Sequence, residues 1–89
     1  MLGDETMAQI ELESIKKIDK ERNTIHAKAL ATYTVFDLDG EHYVQLDTYG
    51  KSDRVMPEKI SQSFQIDKDT ASFLVKLLIN EFGLKITIS

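Results

Sequence analysis

Two aspartates in the segment VFDLDG, Asp37 and Asp39, have the spacing of the first two ligands of an EF-hand calcium loop. A complete loop also has glycine at its sixth position and a bidentate glutamate at its twelfth. Here Gly40 falls at the fourth position and Thr48 at the twelfth, and no helices flank the segment. The spacing therefore does not predict a calcium site.

The two histidines, His26 and His42, are the other candidate metal ligands. They could meet across a hairpin, but two imidazoles without a third ligand make a poor metal site. The chain has no cysteine, which excludes a thiolate metal site, a thiol nucleophile and a disulfide framework. We therefore predict no metal and no cofactor.

The segment from Val35 to Gly40 also resembles the first motif of the haloacid dehalogenase phosphatases. The resemblance implies that Asp37 would attack a phosphate and that Asp39 would transfer the proton. Glu41, however, stands where that family has threonine or valine, and no parallel βαβ pattern follows. We predict instead a β-hairpin turn at Asp39-Gly40, with no catalytic residue and no enzymatic activity.

Composition places the chain among ordinary globular proteins. It has 42% hydrophobic and 29% charged residues, as globular domains do. We predict one small domain over residues 1–89, with residues 1–8 disordered. The net charge of −4 argues against binding of duplex nucleic acid through bulk charge. No apolar run approaches the roughly 18 residues of a membrane span, so we expect a soluble, cytoplasmic protein.

Three segments alternate in the manner of half-buried strands. They run from Thr24 to Phe36, from Glu41 to Tyr49 and from Ile60 to Ile66. Residues 9–18 fit a strand or a helix, and both alternatives stay open. The tail LKITIS, residues 84–89, alternates as well and predicts a short terminal strand at a sheet edge.

A helix follows the third strand. Asp67 is a good N-cap and Gly83 a natural stop, and the residues between them carry an apolar stripe at helical spacing. Phe73, Leu77 and Ile79 lie outside this stripe, so we predict that they form an interface with a second copy or another partner.

Together these elements predict an α+β fold. An antiparallel meander of four to five strands packs against one long C-terminal amphipathic helix, with a short terminal strand. The opposite side of this sheet is polar and bears two tyrosines. Aromatic rings on an open sheet are typical of single-stranded nucleic acid binders, although one wet side is also usual for an antiparallel sheet. The residues proposed to bind nucleic acid are Lys28, Tyr43, Tyr49, Lys51, Arg54 and Lys59.

The order of strand, strand, loop, strand and helix resembles the positive-cofactor-four family of single-stranded-DNA-binding coactivators. The matching segments are VQLDTYG, KSDRVMPEKISQSFQI and DKDTASFLVKLLINEF. The resemblance implies a homodimer whose sheets form a groove for single-stranded DNA or RNA. It also implies that Arg54 and Lys59 touch phosphates and that Tyr43 or Tyr49 stacks on bases. The strings QLDTYG and SQSFQ also resemble small bacterial proteins of unassigned function.

Two functions follow from these patterns. The first is single-stranded nucleic acid binding by a homodimer through the polar sheet face. The alternative is a protein-interaction module that uses the apolar helix flank or an edge strand. The sequence does not identify a small-molecule ligand.

Overall fold

The structure, a computed structural model, describes residues 7–50 and 60–87. Within these ranges the strands are β1 (Met7–Gln9), β2 (Ala31–Leu38), β3 (Glu41–Tyr49) and β4 (Ile60–Ile66), and the helix is α1 (Lys68–Phe82). Leu12–Ser14 forms a single 3₁₀ turn between β1 and β2. The architecture is therefore α+β, as predicted.

A tight turn at Asp39-Gly40 joins β2 to β3. Asp39 has φ of 53° and Gly40 has φ of 81°, so both central residues occupy the left-handed region. Two such residues give the hairpin turn whose twist matches that of the flanking strands, and Gly and Asp tolerate it best. The predicted hairpin turn is confirmed.

The four strands form one sheet in the order β1-β4-β3-β2. β2 and β4 both pair antiparallel with β3, whereas β1 pairs parallel with β4, with Met7 opposite Ser63. The sheet is thus mixed, and the prediction of a purely antiparallel meander is wrong for the described residues. Of the four to five strands predicted, these residues form four. The reason is β1, a three-residue strand whose partner lies far along the chain.

The N-terminal region also differs from the predictions. Met7 and Ala8 belong to β1, although residues 1–8 were expected to be disordered; residues 1–6 lie outside the described residues. Residues 10–18 form neither a strand nor an α-helix, apart from the 3₁₀ turn. This turn is closed by the Ser14 and Ile15 N–H groups, which donate to the Glu11 and Leu12 carbonyls.

The second strand begins later than its alternating pattern predicts. β2 starts at Ala31, and residues 24–30 are exposed without regular structure. The last backbone bond before the strand joins the Tyr49 N–H to the Leu30 carbonyl at 3.0 Å. β3 ends at Tyr49, so the described chain supplies no ladder partner for the preceding residues, and alanine favours strands weakly.

Both predicted ends of the helix are confirmed. The Asp67 carboxylate accepts a hydrogen bond of 2.9 Å from the Thr70 N–H, which caps the first turn. At the other end Gly83 adopts φ of 62°, and the Leu84 N–H donates to the Ile79 carbonyl at 3.2 Å. Residues 84–87 form no strand, so the predicted terminal strand is wrong there; Ile88 and Ser89 lie outside the description. An alternating pattern supplies no backbone partner by itself.

The apolar side of the sheet faces α1 across an open cleft of about 400 Å³. We call this the apolar cleft; its lining consists of Val44, Leu46, Phe64 and Ile66 from the sheet and Ala71, Leu74, Val75 and Leu78 from the helix. None of the hydrophobic residues in the described ranges is fully buried. The helix therefore turns its predicted stripe toward the sheet, but the two layers leave the space between them open.

We expect Asp67→Ala to lower the midpoint of denaturant unfolding, because the Thr70 N–H would lose its acceptor. That same N–H holds the pKa of Asp67 below its ordinary value. The carboxylate therefore stabilises the fold fully at neutral pH, and its contribution disappears as the pH falls through the lowered pKa. The difference between Asp67→Ala and the unmodified chain should shrink in acid.

Asp67→Asn keeps an oxygen acceptor and should retain most of the stability at neutral pH. Equal midpoints for Asp67→Ala and the unmodified chain at neutral pH would contradict this role.

Candidate binding face of the sheet

The face of the sheet opposite the apolar cleft carries two rows of polar side chains. The strand register places Thr32, Asp47 and Ser63 side by side, and Thr34, Gln45 and Gln65 in the next row. We call this surface the polar face; it also includes Phe36, Tyr43 and Tyr49. The structure thus brings together the residues that the alternating pattern assigned to this face of β3, along with their neighbours on β2 and β4.

A chain of hydrogen bonds fixes the side chains at the centre of the polar face. The Gln65 amide donates to Gln45 Oε1 at 2.9 Å, and the Gln45 amide donates to Asp47 Oδ1 at 3.0 Å. The Ser63 hydroxyl donates to the same Asp47 oxygen. Each amide is therefore held in one orientation before any ligand arrives, which reduces the entropic cost of binding.

The one acid on these two rows is withdrawn from solvent. Asp47 is only 5% exposed and Ser63 only 6%, so hydrogen bonds to Ser63 and Gln45 replace the water that the carboxylate gives up. A buried carboxylate must be satisfied in this way to avoid a large desolvation penalty. What the rows offer to a ligand is consequently amide and hydroxyl groups more than negative charge.

Aromatic rings lie at both ends of the polar face. Phe36 and Tyr43 are cross-strand partners near the hairpin turn, with ring centroids 5.4 Å apart and planes inclined by 26°. At the opposite end the Tyr49 hydroxyl lies 3.0 Å from Thr32 Oγ1, which orients its ring. Phe36 was not among the predicted site residues. Its position is recoverable from the alternation of β2, because Thr32, Thr34 and Phe36 share one face.

β1 adds a wall to one side of the polar face. A depression of about 220 Å³ lies beside it, lined by Met7, Ala8, Gln9, Gln45, Ser63 and Gln65. Gln9 pairs in register with Gln65 and extends the glutamine row to a third strand. This contribution was not predicted from the sequence, because nothing local identifies the partner of a three-residue strand.

The structure describes only one of the four proposed basic residues. Lys28 is exposed in the irregular segment before β2, although the strand was predicted to include it. Lys51, Arg54 and Lys59 lie outside the described residues. The proposed interface residues are on α1: Phe73 and Leu77 are exposed and Ile79 is half-buried.

The two histidines do not meet. His42 pairs with Asp37 instead, with 2.5 Å between Nδ1 and Oδ1, and both side chains are exposed. His26 lies in the irregular segment. Within residues 7–50 and 60–87, no group of three or more histidine, aspartate or glutamate side chains could hold a metal ion.

We compared the chain with protein-family models, with curated proteins and with solved structures, and none of them matches. The resemblance to the positive-cofactor-four family therefore stays a prediction. Among the described helical residues, no helix has the length and apolar character required to cross a membrane.

We expect Ser63→Ala to lower the free energy of unfolding by about 1–3 kcal/mol, because a buried carboxylate loses one of its hydrogen bonds. The measurement is urea denaturation at fixed protein concentration. Ser61→Ala is a matched control on the same strand, since Ser61 is exposed, and it should change stability little. An equal decrease in the free energy of unfolding for the two variants would show that the Asp47–Ser63 hydrogen bond does not stabilise the fold.

Proposed function

We propose that this chain binds single-stranded nucleic acid as a homodimer, without enzymatic activity, through the polar face. The observation that carries the proposal is the pattern of this face: aromatic rings at both ends, with preoriented amides and hydroxyls between them. Bases stack on aromatic side chains whatever their identity, and their edges accept and donate hydrogen bonds. An unpaired strand offers both kinds of contact, whereas a duplex hides its base faces.

The burial of Asp47 supports this choice of ligand. An exposed carboxylate at the centre of the surface would repel a phosphate backbone. Here the acid accepts hydrogen bonds from Ser63 and Gln45 and is almost completely covered. The carboxylate oxygens are therefore kept out of direct contact with the phosphates of a ligand.

The cations of the proposed interface belong to two segments of the sequence outside the described strands. Lys28 precedes β2, and Lys51, Arg54 and Lys59 belong to the segment between β3 and β4. In this proposal they contact phosphates while the rings contact bases. Such a division is usual, because phosphate contacts supply affinity and on-rate, whereas stacking selects unpaired strands.

The homodimer in this proposal is supported by the apolar cleft. Eight apolar side chains line it, and the outer flank of α1 exposes Phe73 and Leu77 as well. A small domain with so little apolar burial gains stability when another surface removes these side chains from water. A second copy offers the same helix flank and cleft, so each copy can cover the other by an isologous contact.

We expect Tyr43→Ala to weaken binding of a labelled single-stranded oligonucleotide by about tenfold or more, because one stacking ring is lost. Fluorescence anisotropy at low salt measures this change. Tyr43→Phe keeps the ring and should bind like the unmodified chain. Affinity should also fall as salt rises, and Arg54→Ala should reduce that salt dependence.

Three results would contradict the proposal: no binding at low salt, equal affinity for a duplex of the same length, or equal binding by Tyr43→Ala and Tyr43→Phe. Low salt is the most demanding condition for a negative result, since phosphate contacts are strongest there.

A second candidate function is a protein-interaction module, and the apolar cleft favours it. An amphipathic helix of another chain could lay its apolar face into the cleft. This function depends on apolar contact more than on phosphate charge, so complex formation would persist at high salt. A chain with this function alone would not bind nucleic acid.

We expect Leu77→Glu to weaken self-association or partner binding through the helix flank, because it would bury a carboxylate at an apolar contact. Sedimentation velocity across a concentration series measures the change. Ser72→Glu adds the same charge to the same helix at an exposed polar position and should associate like the unmodified chain. Normal association by Leu77→Glu would remove the helix flank from the interface.

A further inference from the structure

The outer edge of β2 is open in the part of the chain that the structure describes. Among the described residues no strand pairs with it, because β2 is the last strand in the order β1-β4-β3-β2. Natural proteins usually protect such an edge with lysine, proline or a bulge. Residues 31–38, ATYTVFDL, have neither residue, and their pairing with β3 is regular throughout. An edge of this kind is suited to pairing with another strand.

One backbone contact shows which residues of β2 point their N–H and carbonyl groups toward the open edge. The Leu30 carbonyl accepts from the Tyr49 N–H, so the backbone groups of Leu30 point toward β3. Backbone groups alternate in direction along an antiparallel strand. The N–H and carbonyl groups of Ala31, Tyr33 and Val35 therefore point outward, where a new partner would meet them.

Residues 24–30, just before β2, have the alternating pattern of a strand but pair with no other strand among the described residues. Residues 24–30 are exposed and irregular, and Ile25 is fully exposed. Yet Ile25, Ala27 and Ala29 continue the alternation of Ala31, Tyr33 and Val35 without interruption. We call residues 24–30 the arm. It carries the period of a strand, and β3 is too short to pair with it.

We propose that two copies of this chain pair antiparallel through residues 24–36, around a two-fold axis beside Leu30, so that each arm extends along the β2 edge of the other copy. This inference rests on the homodimer of the proposed function and gives that dimer a contact at the β2 edge besides the one at the helix flank. Val35 would then face Ile25 of the partner subunit, and Tyr33 would face Ala27 of the partner subunit. Both pairs lie on the apolar side of the sheet.

Side-chain chemistry selects this register over its neighbours. Pairing of outward-pointing groups permits only shifts of two residues. A shift in one direction places Ile25 opposite Asp37, and a shift in the other places Glu21 opposite Asp37. The first places an apolar side chain opposite a carboxylate and the second opposes two like charges, and both are unfavourable across strands. The proposed register instead places Ile25 opposite Val35, so two apolar β-branched side chains meet across the strands.

The pairing joins two sheets into one continuous sheet. It also places the two polar faces on the same side, because the two-fold axis relates equivalent sides of the strands. A longer surface for a single strand results, with the aromatic rings of both copies on it. The fully exposed Ile25 gains a neighbour, which the arm lacks within its own copy.

The experiment begins with sedimentation velocity of the unmodified chain and of Ala27→Pro. Proline cannot donate a ladder hydrogen bond, and residue 27 lies in the arm, outside every described strand, so each copy should still fold. We expect a dimer for the unmodified chain and a dissociation constant raised by about tenfold or more for Ala27→Pro. Circular dichroism of Ala27→Pro checks that the fold is unchanged.

A second variant tests the register directly. Leu30 would face Leu30 of the partner subunit in a non-hydrogen-bonded pair, with Cα atoms about 4.5 Å apart, within disulfide range. The natural chain has no cysteine, so Leu30→Cys should form a covalent dimer under mild oxidation. Lys28→Cys is the matched control: its two copies would lie roughly 13 Å apart and should not cross-link.

The results separate this inference from the proposed function. A dimer that tolerates Ala27→Pro and does not cross-link through Leu30→Cys would overturn the arm pairing but leave a homodimer through the helix flank. Equal cross-linking by Lys28→Cys and Leu30→Cys would overturn the register. A monomer at every concentration would overturn both the arm pairing and the homodimer. Binding of the oligonucleotide is measured separately and decides the nucleic acid proposal.

Discussion

The backbone pairing of β3 with a strand on each side is the constraint on which the two surfaces of this molecule depend. Side chains alternate along a strand, so the register of β3 decides what each face contains. A slip of one residue would turn Asp47 toward the apolar cleft and Leu46 toward the polar face. The carboxylate would then lose Ser63 as a donor and would be desolvated beside apolar side chains. The hydrogen bonds of the polar face therefore also specify the fold.

Within a single copy, the polar side chains of the sheet have hydrogen-bond partners, whereas the apolar side chains on the other side are incompletely covered. On the polar face the buried acid has its donors, and the amides bond to one another. On the apolar side the cleft stays open and the helix flank is exposed. Association that covers these side chains would couple folding to protein concentration, because a ligand that binds only the folded state stabilises it by mass action. Stability and assembly would then be one equilibrium.

The features that sequence analysis predicted correctly are those whose causes are local. The turn at Asp39-Gly40 needs two residues that tolerate positive φ, and the helix ends need an oxygen acceptor at Asp67 and a left-handed residue at Gly83. The division of β3 into two faces follows from alternation alone. Alternation likewise placed Tyr43 and Tyr49 on the polar side of the sheet, and the position of Phe36 follows from the same pattern.

The features that were missed depend on pairing between distant segments. Residues 84–87 alternate as strands do but pair with no strand among the described residues, and the alternation before Ala31 extends beyond the end of β3, the strand that could pair with it.

The pairing of Met7 with Ser63 has a further consequence for the order of assembly. The β2–β3 hairpin can close as soon as its turn exists, whereas β1 needs β4, and closing so long a loop is entropically slow. During synthesis β1 therefore emerges before its partner β4 and enters the sheet only after it.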